Sequence, residues 1–320
     1  MPMWKLTPAC KDYLWGGEKL REKYHIESDC EPLAEAWVLS CHPDGMSRLA
    51  EGEMKGLTLP EAALKYPGNF FGTRCAEFEE FPMLVKLIDA RKDLSVQVHP
   101  NDEYARREEH QSGKAEMWMV LEAEPGAALY YGFARAVGRD EIEKSLAENT
   151  LIDLLRRVPV QPGDVFYIPP GTVHAIGAGM VHAIGAGMVI AEIQQSSNVT
   201  YRLYDYGRLG ADGKPRPLHV ERSLAVLKPG PVEQDWDFGG HLGQHKNFTV
   251  DLLQNEAAGC CDGESFAGLL VTVGEGELLC GGETKPVRAG ECVFLPADAG
   301  EWQLRGLVTA LLCYLGESIA

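Results

Sequence analysis

The sequence predicts a mainly β protein of two jelly-roll-like barrels with a few short helices, in which only the first barrel binds a metal ion. Short segments of alternating apolar and polar residues recur between turns rich in Gly and Pro, a pattern typical of strands. Nitrogen and oxygen side chains that suit a divalent metal ion lie on or beside several of these segments. Residues 287–296 then repeat the pattern of residues 160–169, a Gly turn followed by an apolar strand that ends in Pro. This repetition indicates the second barrel.

The chain length and one loop-like stretch suggest where the two barrels divide. A length of 320 residues allows one large domain or two modest ones. Residues 209–217 are rich in Gly, Pro and charge, and short strands recur from about residue 223. We therefore predict a metal-binding domain with short helical insertions at residues 1–222 and a second β domain at residues 223–320.

The charge of the chain excludes several classes of partner. The net charge is −17, which argues against nucleic acids and anionic membranes, since both require a basic surface. The sequence has no apolar run of 18 residues and begins with no signal-peptide pattern. Its nine cysteines include no CxxC pair, as expected of reduced thiols. We expect a cytoplasmic protein, in which an anionic substrate would need a local cluster of Lys and Arg.

The first elements read as strands and one capped helix. Residues 35–40 alternate as a strand does, and residues 83–88 form an apolar run that predicts another. Thr58 precedes a Pro in the first turn and stands three residues before Glu61, which predicts a helix beginning there. We expect this helix to end near residues 66–68, where a Pro-Gly pair follows.

The segment Ser95-Val96-Gln97-Val98-His99 presents the first candidate ligands. Strict alternation predicts a half-buried strand on which Ser95, Gln97 and His99 share one face. An amide and an imidazole side by side can donate two lone pairs to a metal. The same pair also fits a polar strand face with ordinary hydrogen bonds, so it does not decide between these two interpretations.

Two further residues complete a ligand pattern. Glu116 lies in a second alternating segment, and His174 follows a Pro-Gly turn. A strand-borne pair, then a carboxylate, then a distant His after such a turn is the ligand order of a cupin barrel. Two His, one Glu and an open position for water suit Zn²⁺ and similar ions. In the second barrel Glu301 stands where His174 would be and no Gln-x-His is present, so we expect no metal there.

The remaining elements are short. Residues 139–157 fit two short helices, interrupted at Asn149-Thr150. Strands are expected at residues 116–121, 128–131, 158–160, 165–168, 190–195 and 199–204. The octapeptide His-Ala-Ile-Gly-Ala-Gly-Met-Val occurs at 174–181 and again at 182–189. It is too short for a solenoid unit and looks like a local duplication.

Several of these segments together carry a family resemblance. They are Trp15-Gly16-Gly17, Glu35-x-Trp37, residues 95–102, Lys114-x-Glu116-x-Trp118, residues 170–176 and residues 201–206. With these segments in this order, the chain resembles the short bacterial form of type I mannose-6-phosphate isomerase (phosphomannose isomerase) over most of its length. The resemblance implies a cupin fold, one zinc ion held by Gln97, His99, Glu116 and His174, and a catalytic Arg202. The implied activity is the reversible isomerisation of mannose 6-phosphate and fructose 6-phosphate, in the domain at 1–222.

The chemistry of that reaction suggests further roles. An aldose becomes a ketose when a proton moves between adjacent carbons through an enediol, and a fixed cation stabilises the oxyanion that develops. Arg202 can do this or hold the phosphate. Lys114 shares a strand face with Glu116 and would point at the metal-bound sugar, as a second catalytic residue. Ser95 and Arg208 are phosphate candidates, and a metal-bound water, a Glu or a Lys would serve as the base.

Two other functions remain open at this point. A metal-dependent cupin dioxygenase could use similar ligands on iron or copper, but Lys114 and Arg202 favour a phosphosugar over an apolar substrate. A non-catalytic sugar-binding cupin is the other alternative, if the duplication has disrupted the site.

The duplication leaves two histidines for one ligand position, because the family pattern contains the His-Ala-Ile segment once. His174 keeps the family's spacing to the preceding Pro-Gly turn. His182 instead keeps the family's spacing to Arg202, which lies 20 residues after His182 and 28 residues after His174. If His174 is the ligand, the eight extra residues can lengthen a hairpin beyond the metal strand, which costs little. If His182 is the ligand, they must bulge into the barrel. We therefore predict His174.

Overall fold

The structure is a computed structural model that describes residues 3–177, 187–209, 213–233 and 236–316. Its strands are β1 (Trp4–Thr7), β2 (Ala9–Lys11), β3 (Glu35–Leu39), β4 (Arg48–Leu49), β5 (Met83–Ala90), β6 (Val96–Val98), β7 (Glu116–Ala123), β8 (Ala128–Phe133), β9 (Leu155–Pro159), β10 (Val165–Ile168), β11 (His174–Ile176), β12 (Met188–Gln195), β13 (Tyr201–Tyr204), β14 (Gly243–His245), β15 (Phe248–Gln254), β16 (Ala257–Cys261), β17 (Ala267–Cys280), β18 (Glu283–Arg288), β19 (Cys292–Leu295) and β20 (Gly300–Tyr314). Its α-helices are α1 (Lys19–Glu22), α2 (Leu59–Ala63), α3 (Asp102–Glu108), α4 (Arg139–Ala147) and α5 (Val220–Val226), with 3-10 turns at Cys75–Glu77 and Leu151–Leu154. The prediction of a mainly β protein with a few short helices is confirmed.

The strands form three antiparallel sheets. One six-stranded sheet has the order β10-β7-β12-β5-β3-β2, and a five-stranded sheet has the order β13-β6-β11-β8-β9. These two sheets pack face to face through Trp118 and Val120 on one side and Leu129, Tyr131 and Ile176 on the other. The candidate ligands lie in the same interface, so it is the interior of the metal-binding part of the fold.

The third sheet contains nine strands, in the order β14-β15-β20-β17-β19-β1-β4, with β16 beside β20 and β18 beside β17. It packs on the outer face of the six-stranded sheet, where Leu87 and Ile193 meet Phe266 and Phe294. Both faces of the six-stranded sheet are therefore covered, and all eight residues of β5 are buried. A strand that is covered on both faces reads as a nearly continuous apolar run.

The nine-stranded sheet draws strands from both ends of the chain. The N-terminal strand β1 pairs with β19, with Trp4 opposite Phe294, and β4 pairs with β1. The other strands of the sheet come from residues beyond 242. The division at residue 222 into two domains remains a prediction.

Helices α3, α4 and α5 cover the outer face of the five-stranded sheet, whereas Leu20 of α1 and Leu59 of α2 pack in the core beneath the nine-stranded sheet. Ile142 of α4 and Leu151 of the 3-10 turn pack with Val96, Val98 and Ala175 of that sheet. The helix predicted at Thr58 is confirmed: the Thr58 and Glu61 side chains cap each other's backbone N–H groups. Among the described residues, no helix combines the length and the apolar character needed to cross a lipid bilayer.

Two predicted element boundaries were wrong. The α2 helix ends at Ala63 rather than near residues 66–68. Residues 155–157, expected in the second of two short helices, form the start of β9 instead, where Arg157 lies opposite Tyr130 of β8. Pairing with a neighbouring strand satisfies this backbone, and a helical periodicity of a few Leu residues cannot reveal such a long-range partner.

Candidate metal centre

Three buried side chains converge between the two facing sheets. One ligand atom from each of His99, Glu116 and His174 lies within 4.8 Å of the other two. Nε2 of His99 is 3.4 Å from Oε1 of Glu116, and Nε2 of His174 is 3.5 Å from Oε2. The sequence predicted all three residues as ligands, although they are up to 75 positions apart.

The candidate ligands lie on or next to three strands, β6, β7 and β11. Glu116 begins β7 and His174 begins β11, so both stand at strand ends, next to the loops. His99 follows β6 directly and Gln97 lies within it. Residues two apart on a strand point to the same side, so Gln97 and His99 share a face.

The two imidazoles are held in the form that binds metals. Nδ1 of His99 lies 2.9 Å from the Val199 carbonyl oxygen, and Nδ1 of His174 lies 2.9 Å from the Thr172 carbonyl oxygen. Each Nδ1 therefore carries the proton, and each Nε2 presents its lone pair to the cluster. Burial, followed by Lys114, lowers the pKa of His99 well below its usual value. Burial also lowers the pKa of His174, against the opposing influence of Glu116.

The carboxylate of Glu116 supports a metal ion at this place. The residue is 0% exposed, Nζ of Lys114 lies 2.5 Å from Oε1, and no described residue donates a hydrogen bond to Oε2. A buried carboxylate oxygen without a partner is costly, and a metal ion beside it would remove that cost. Two neutral imidazoles and a carboxylate are a donor set that suits Zn²⁺. The residues present therefore fit one divalent ion.

Gln97 completes the predicted ligand set. Its Nε2 lies 3.2 Å from Nε2 of His174, and the two residues face each other across β6 and β11. Rotating the amide by half a turn would present Oε1 instead of the NH₂ group. The structure thus brings all four predicted ligands to one place.

Lys114 touches this cluster directly. It is 4% exposed, its Nζ lies 2.5 Å from Oε1 of Glu116, and the same Nζ is 3.5 Å from Nε2 of His99. The shared strand face predicted for Lys114 and Glu116 agrees with this contact.

Arg202 lies one strand away from the cluster. It is paired in register with Gln97, which in turn faces His174, so the three residues stand side by side on neighbouring strands. Residues that are directly opposite on adjacent strands point to the same face. The buried Nε of Arg202 has no partner among the described residues. Burial, then Arg216, lowers the pKa of Arg202.

The two phosphate candidates have different surroundings. Ser95 is buried just before β6. Arg208 is bound within the protein: its Nε donates to Asp205 at 3.1 Å, and its Nη1 donates to the Asp93 carbonyl. Arg216, which the sequence did not single out, donates two hydrogen bonds of 2.6 Å to the same Asp205. Two cations therefore share one carboxylate near Arg202.

A charged network that was not predicted from the sequence lies on the inner face of the six-stranded sheet. Nζ of Lys86 lies 3.0 Å from Glu192 and 3.8 Å from Glu35. Burial opposes the charge of Lys86, but Glu192 and then Glu35 outweigh it and raise its pKa. Trp118 donates to Glu192 at 2.8 Å, and Trp37 donates to Glu35 at 2.7 Å. The available signal was Lys86 and Glu192, each flanked by apolar residues within the mostly apolar strands β5 and β12.

A metal-binding protein of cupin type is the class that this fold and site define. Residues 3–117 match the sequence profile of the catalytic domain of type I phosphomannose isomerase. The chain is 35% identical over 326 residues to a mannose-6-phosphate isomerase of Bacillus subtilis, covering 96% of this chain and 97% of that protein. It is 36% identical over 315 residues to the mannose-6-phosphate isomerase of Streptococcus mutans, covering 95% of each. The chain belongs to the type I phosphomannose isomerase family.

Solved structures agree with this assignment. The crystal structure of mannose 6-phosphate isomerase from Bacillus subtilis superposes with a TM-score of 0.85 at 32% identity, over 98% of this chain and 99% of that one. A zinc-bound mannose 6-phosphate isomerase shares the fold with a TM-score of 0.76 at 18% identity, over 99% of this chain and 100% of that one. The predicted family and the cupin fold are confirmed.

Proposed function

We propose that this chain interconverts mannose 6-phosphate and fructose 6-phosphate with one zinc ion at His99, Glu116, His174 and Gln97. The observation that carries the proposal is the buried His-Glu-His cluster with the Lys114 ammonium against it, in a member of this family. The relatives that cover nearly the whole chain bear the name of this activity.

The donor set supports zinc as the ion. Both imidazoles present an unprotonated Nε2, and Glu116 supplies the negative charge that a divalent ion requires. A bound zinc ion would polarise the carbonyl and hydroxyl oxygens of the sugar as a Lewis acid. The hydrogen bond that each Nδ1–H donates to a backbone carbonyl fixes the ring and increases the basicity of Nε2, the ligating nitrogen.

The cations of the chain supply the rest of the chemistry. The proton moves between C1 and C2 of the sugar through an enediol, and negative charge develops on the adjacent oxygens. Arg202 stands beside the ligands, and no described residue pairs with its Nε, so it is the candidate for stabilising this charge. Lys114 is held by Glu116 and His99 and offers its ammonium to the same oxygens.

The phosphate needs a positive region on a protein of net charge −17. Arg208 and Arg216 share Asp205, which leaves this group with a net positive charge close to Arg202. We assign the phosphate to this region, with Ser95 as a hydroxyl donor. These cations also disfavour the apolar substrates of a dioxygenase.

One experiment tests the activity and the metal together. Purified protein should form fructose 6-phosphate from mannose 6-phosphate in a coupled assay and should carry about one equivalent of zinc by elemental analysis. His99→Ala should lose both the metal and the activity. His110→Asn is the matched control, because His110 is exposed and has a positive φ that Asn tolerates. Full zinc content in His99→Ala would reject the metal site, and a zinc-loaded wild type without activity would reject the isomerase.

A further inference from the structure

Arg202 is held from outside its sheet by His219. The backbone N–H of His219 donates to the Arg202 carbonyl at 2.8 Å. In return, the backbone N–H of Arg202 donates to Nδ1 of the His219 ring at 3.0 Å. The imidazole nitrogen thus takes the place that a neighbouring strand's carbonyl would occupy.

The contact between His219 and Arg202 matters because Arg202 lies on an edge strand. The strand β13 is the edge of the five-stranded sheet, with β6 on one side. It has four residues, and its register with β6 shifts between Arg202 and Tyr204. A short edge strand with an irregular register holds its side chains loosely unless its outer edge is also bonded.

The same segment also grips the Arg202 side chain. Nη1 of Arg202 donates to the Pro217 carbonyl at 3.0 Å. Residues 217 and 219 therefore fix both the backbone and one end of the guanidinium. Nε is buried and has no partner among the described residues, which leaves it available to a substrate oxygen.

We propose that His219 is a positioning residue, whose unprotonated Nδ1 holds the Arg202 backbone so that the guanidinium is placed to stabilise the negative charge that develops on the sugar oxygens. The inference rests on the proposed isomerase activity and on the role assigned there to Arg202. In the part of the chain that the structure describes, His219 forms no hydrogen bond with a ligand of the metal centre, and it acts through Arg202.

The charges around His219 favour the neutral ring. Burial, then Arg202 and then Arg222, lowers the pKa of His219, and Glu109 opposes them. Glu109 is itself engaged, since it accepts hydrogen bonds from the Tyr201 hydroxyl at 2.7 Å and from Arg222 at 2.5 Å. A proton on Nδ1 would place a donor against the Arg202 N–H and a second cation beside the guanidinium. Activity should therefore fall on the acid side when this ring becomes charged.

Two substitutions of His219 separate positioning from simple packing. His219→Asn places an amide oxygen near the position of Nδ1, whereas His219→Leu keeps apolar bulk without an acceptor. In the zinc-loaded enzyme, His219→Leu should lower kcat by about tenfold to a hundredfold, the usual effect of misplacing a catalytic group. KM and zinc content should change by less than about threefold, and His219→Asn should recover most of the lost rate.

Two further measurements complete the test. The acid limb assigned to His219 should be present in the pH profile of the wild type and absent from that of His219→Asn. In an Arg202→Ala background, His219→Leu should cause no further loss of kcat, because the two residues act as one unit.

Specific outcomes would overturn the proposal. Equal kcat in His219→Leu and wild type would do so, and so would equal losses in the Asn and Leu variants. Nitrogen-15 NMR of the His219 ring provides a readout that needs no activity: a proton on Nδ1 in the wild type at neutral pH would also overturn it. An inactive wild type whose His219 ring shows an unprotonated Nδ1 would instead reject the isomerase function and leave the contact established.

Discussion

Arg202 shows how a single side chain in this fold is prepared for charge stabilisation. It stands in register with Gln97 and has a buried Nε without a described partner. Burying a donor without a partner costs free energy. This cost is removed if a substrate oxygen accepts a hydrogen bond from Nε.

We predict that Arg202→Ala lowers kcat by roughly 10²–10³, the usual cost of removing one preorganised charge-stabilising group. The free energy of unfolding should change far less, because the role proposed for this side chain is charge stabilisation rather than packing. Steady-state kinetics and urea unfolding measure the two effects. Arg135→Ala is the control, since Arg135 is exposed and forms a surface ion pair with Glu141. An unchanged kcat at saturating substrate would remove Arg202 from the catalytic set.

Lys86 is a second residue whose substitution should have a large effect, here on the free energy of unfolding, because its charge is buried. Its ammonium is the charge that neutralises Glu192 and Glu35 inside the sheet interface, and all three residues are buried. Removing one partner of a buried ion pair leaves uncompensated charge in a medium of low polarity.

We therefore predict that Lys86→Met lowers the free energy of unfolding by about 3–5 kcal/mol at neutral pH. Lys144→Met should change the free energy of unfolding by less than about 1 kcal/mol, because the ion pair of Lys144 with Glu148 is exposed. Urea denaturation of the two variants provides the comparison. A loss in Lys86→Met no larger than that in Lys144→Met would show that the network does not need its cation.

At the scale of elements, the tandem octapeptide raises the question of how much the chain between β11 and β12 can change in length. The strand β11 begins with His174 in the metal cluster, and β12 begins at Met188. His182 lies outside the described residues. The choice of His174 as the ligand therefore stays a prediction, although His174 lies within 4.8 Å of the other candidate ligands.

Removing one copy of the repeat gives the same chain whichever copy is deleted, and it restores the family spacing between His174 and Arg202. We predict that this deletion retains zinc and activity within about threefold, because growth of a loop by this length costs only about 0.6 kcal/mol per doubling. His182→Ala should behave likewise, whereas His174→Ala should lose the metal. Elemental analysis of the three variants decides the matter. Metal loss in His182→Ala alone would show that the second copy supplies the ligand.

At the scale of the whole molecule, one turn of the nine-stranded sheet forms hydrogen bonds with the part of the chain that carries the candidate ligands. Between β14 and β15, Asn247 accepts a hydrogen bond from Gln195 at 3.2 Å and donates one to the Pro82 carbonyl at 3.3 Å. Gln195 in turn accepts from the backbone N–H of Ala115 at 2.9 Å. Ala115 lies between Lys114 and Glu116, so the turn supports the strand that carries them.

We predict that Asn247→Ala lowers the free energy of unfolding by about 1–3 kcal/mol, the cost of leaving buried polar groups without partners. It should also weaken zinc binding, because the support of Ala115 is lost. Lys246→Ala, at an exposed neighbour that pairs with Asp102, should change stability by less than about 1 kcal/mol and leave zinc affinity intact. Urea unfolding and a competition titration with a zinc chelator measure both effects. Equal behaviour of the two variants would show that Asn247 does not support the site.

Several features of this protein were determined by the sequence itself. The alternation at residues 95–99, the carboxylate at Glu116 and the Pro-Gly turn before His174 predicted the fold class and a ligand set that the structure brings together. These signals are local: the two-residue period of a strand sets which side chains share a face, and a turn sets where the strand begins.

Only the tertiary structure decided which distant faces meet. It placed β1 in the sheet of the C-terminal strands, joined Lys86 to Glu192 and Glu35, and bound Arg208 and Arg216 to one carboxylate. It also set His219 against Arg202, 17 positions away along the chain. Such contacts arise because whole sheet faces are buried against one another. The alternation of residues within one strand shows which side chains share a face, but it does not show which strands will be neighbours.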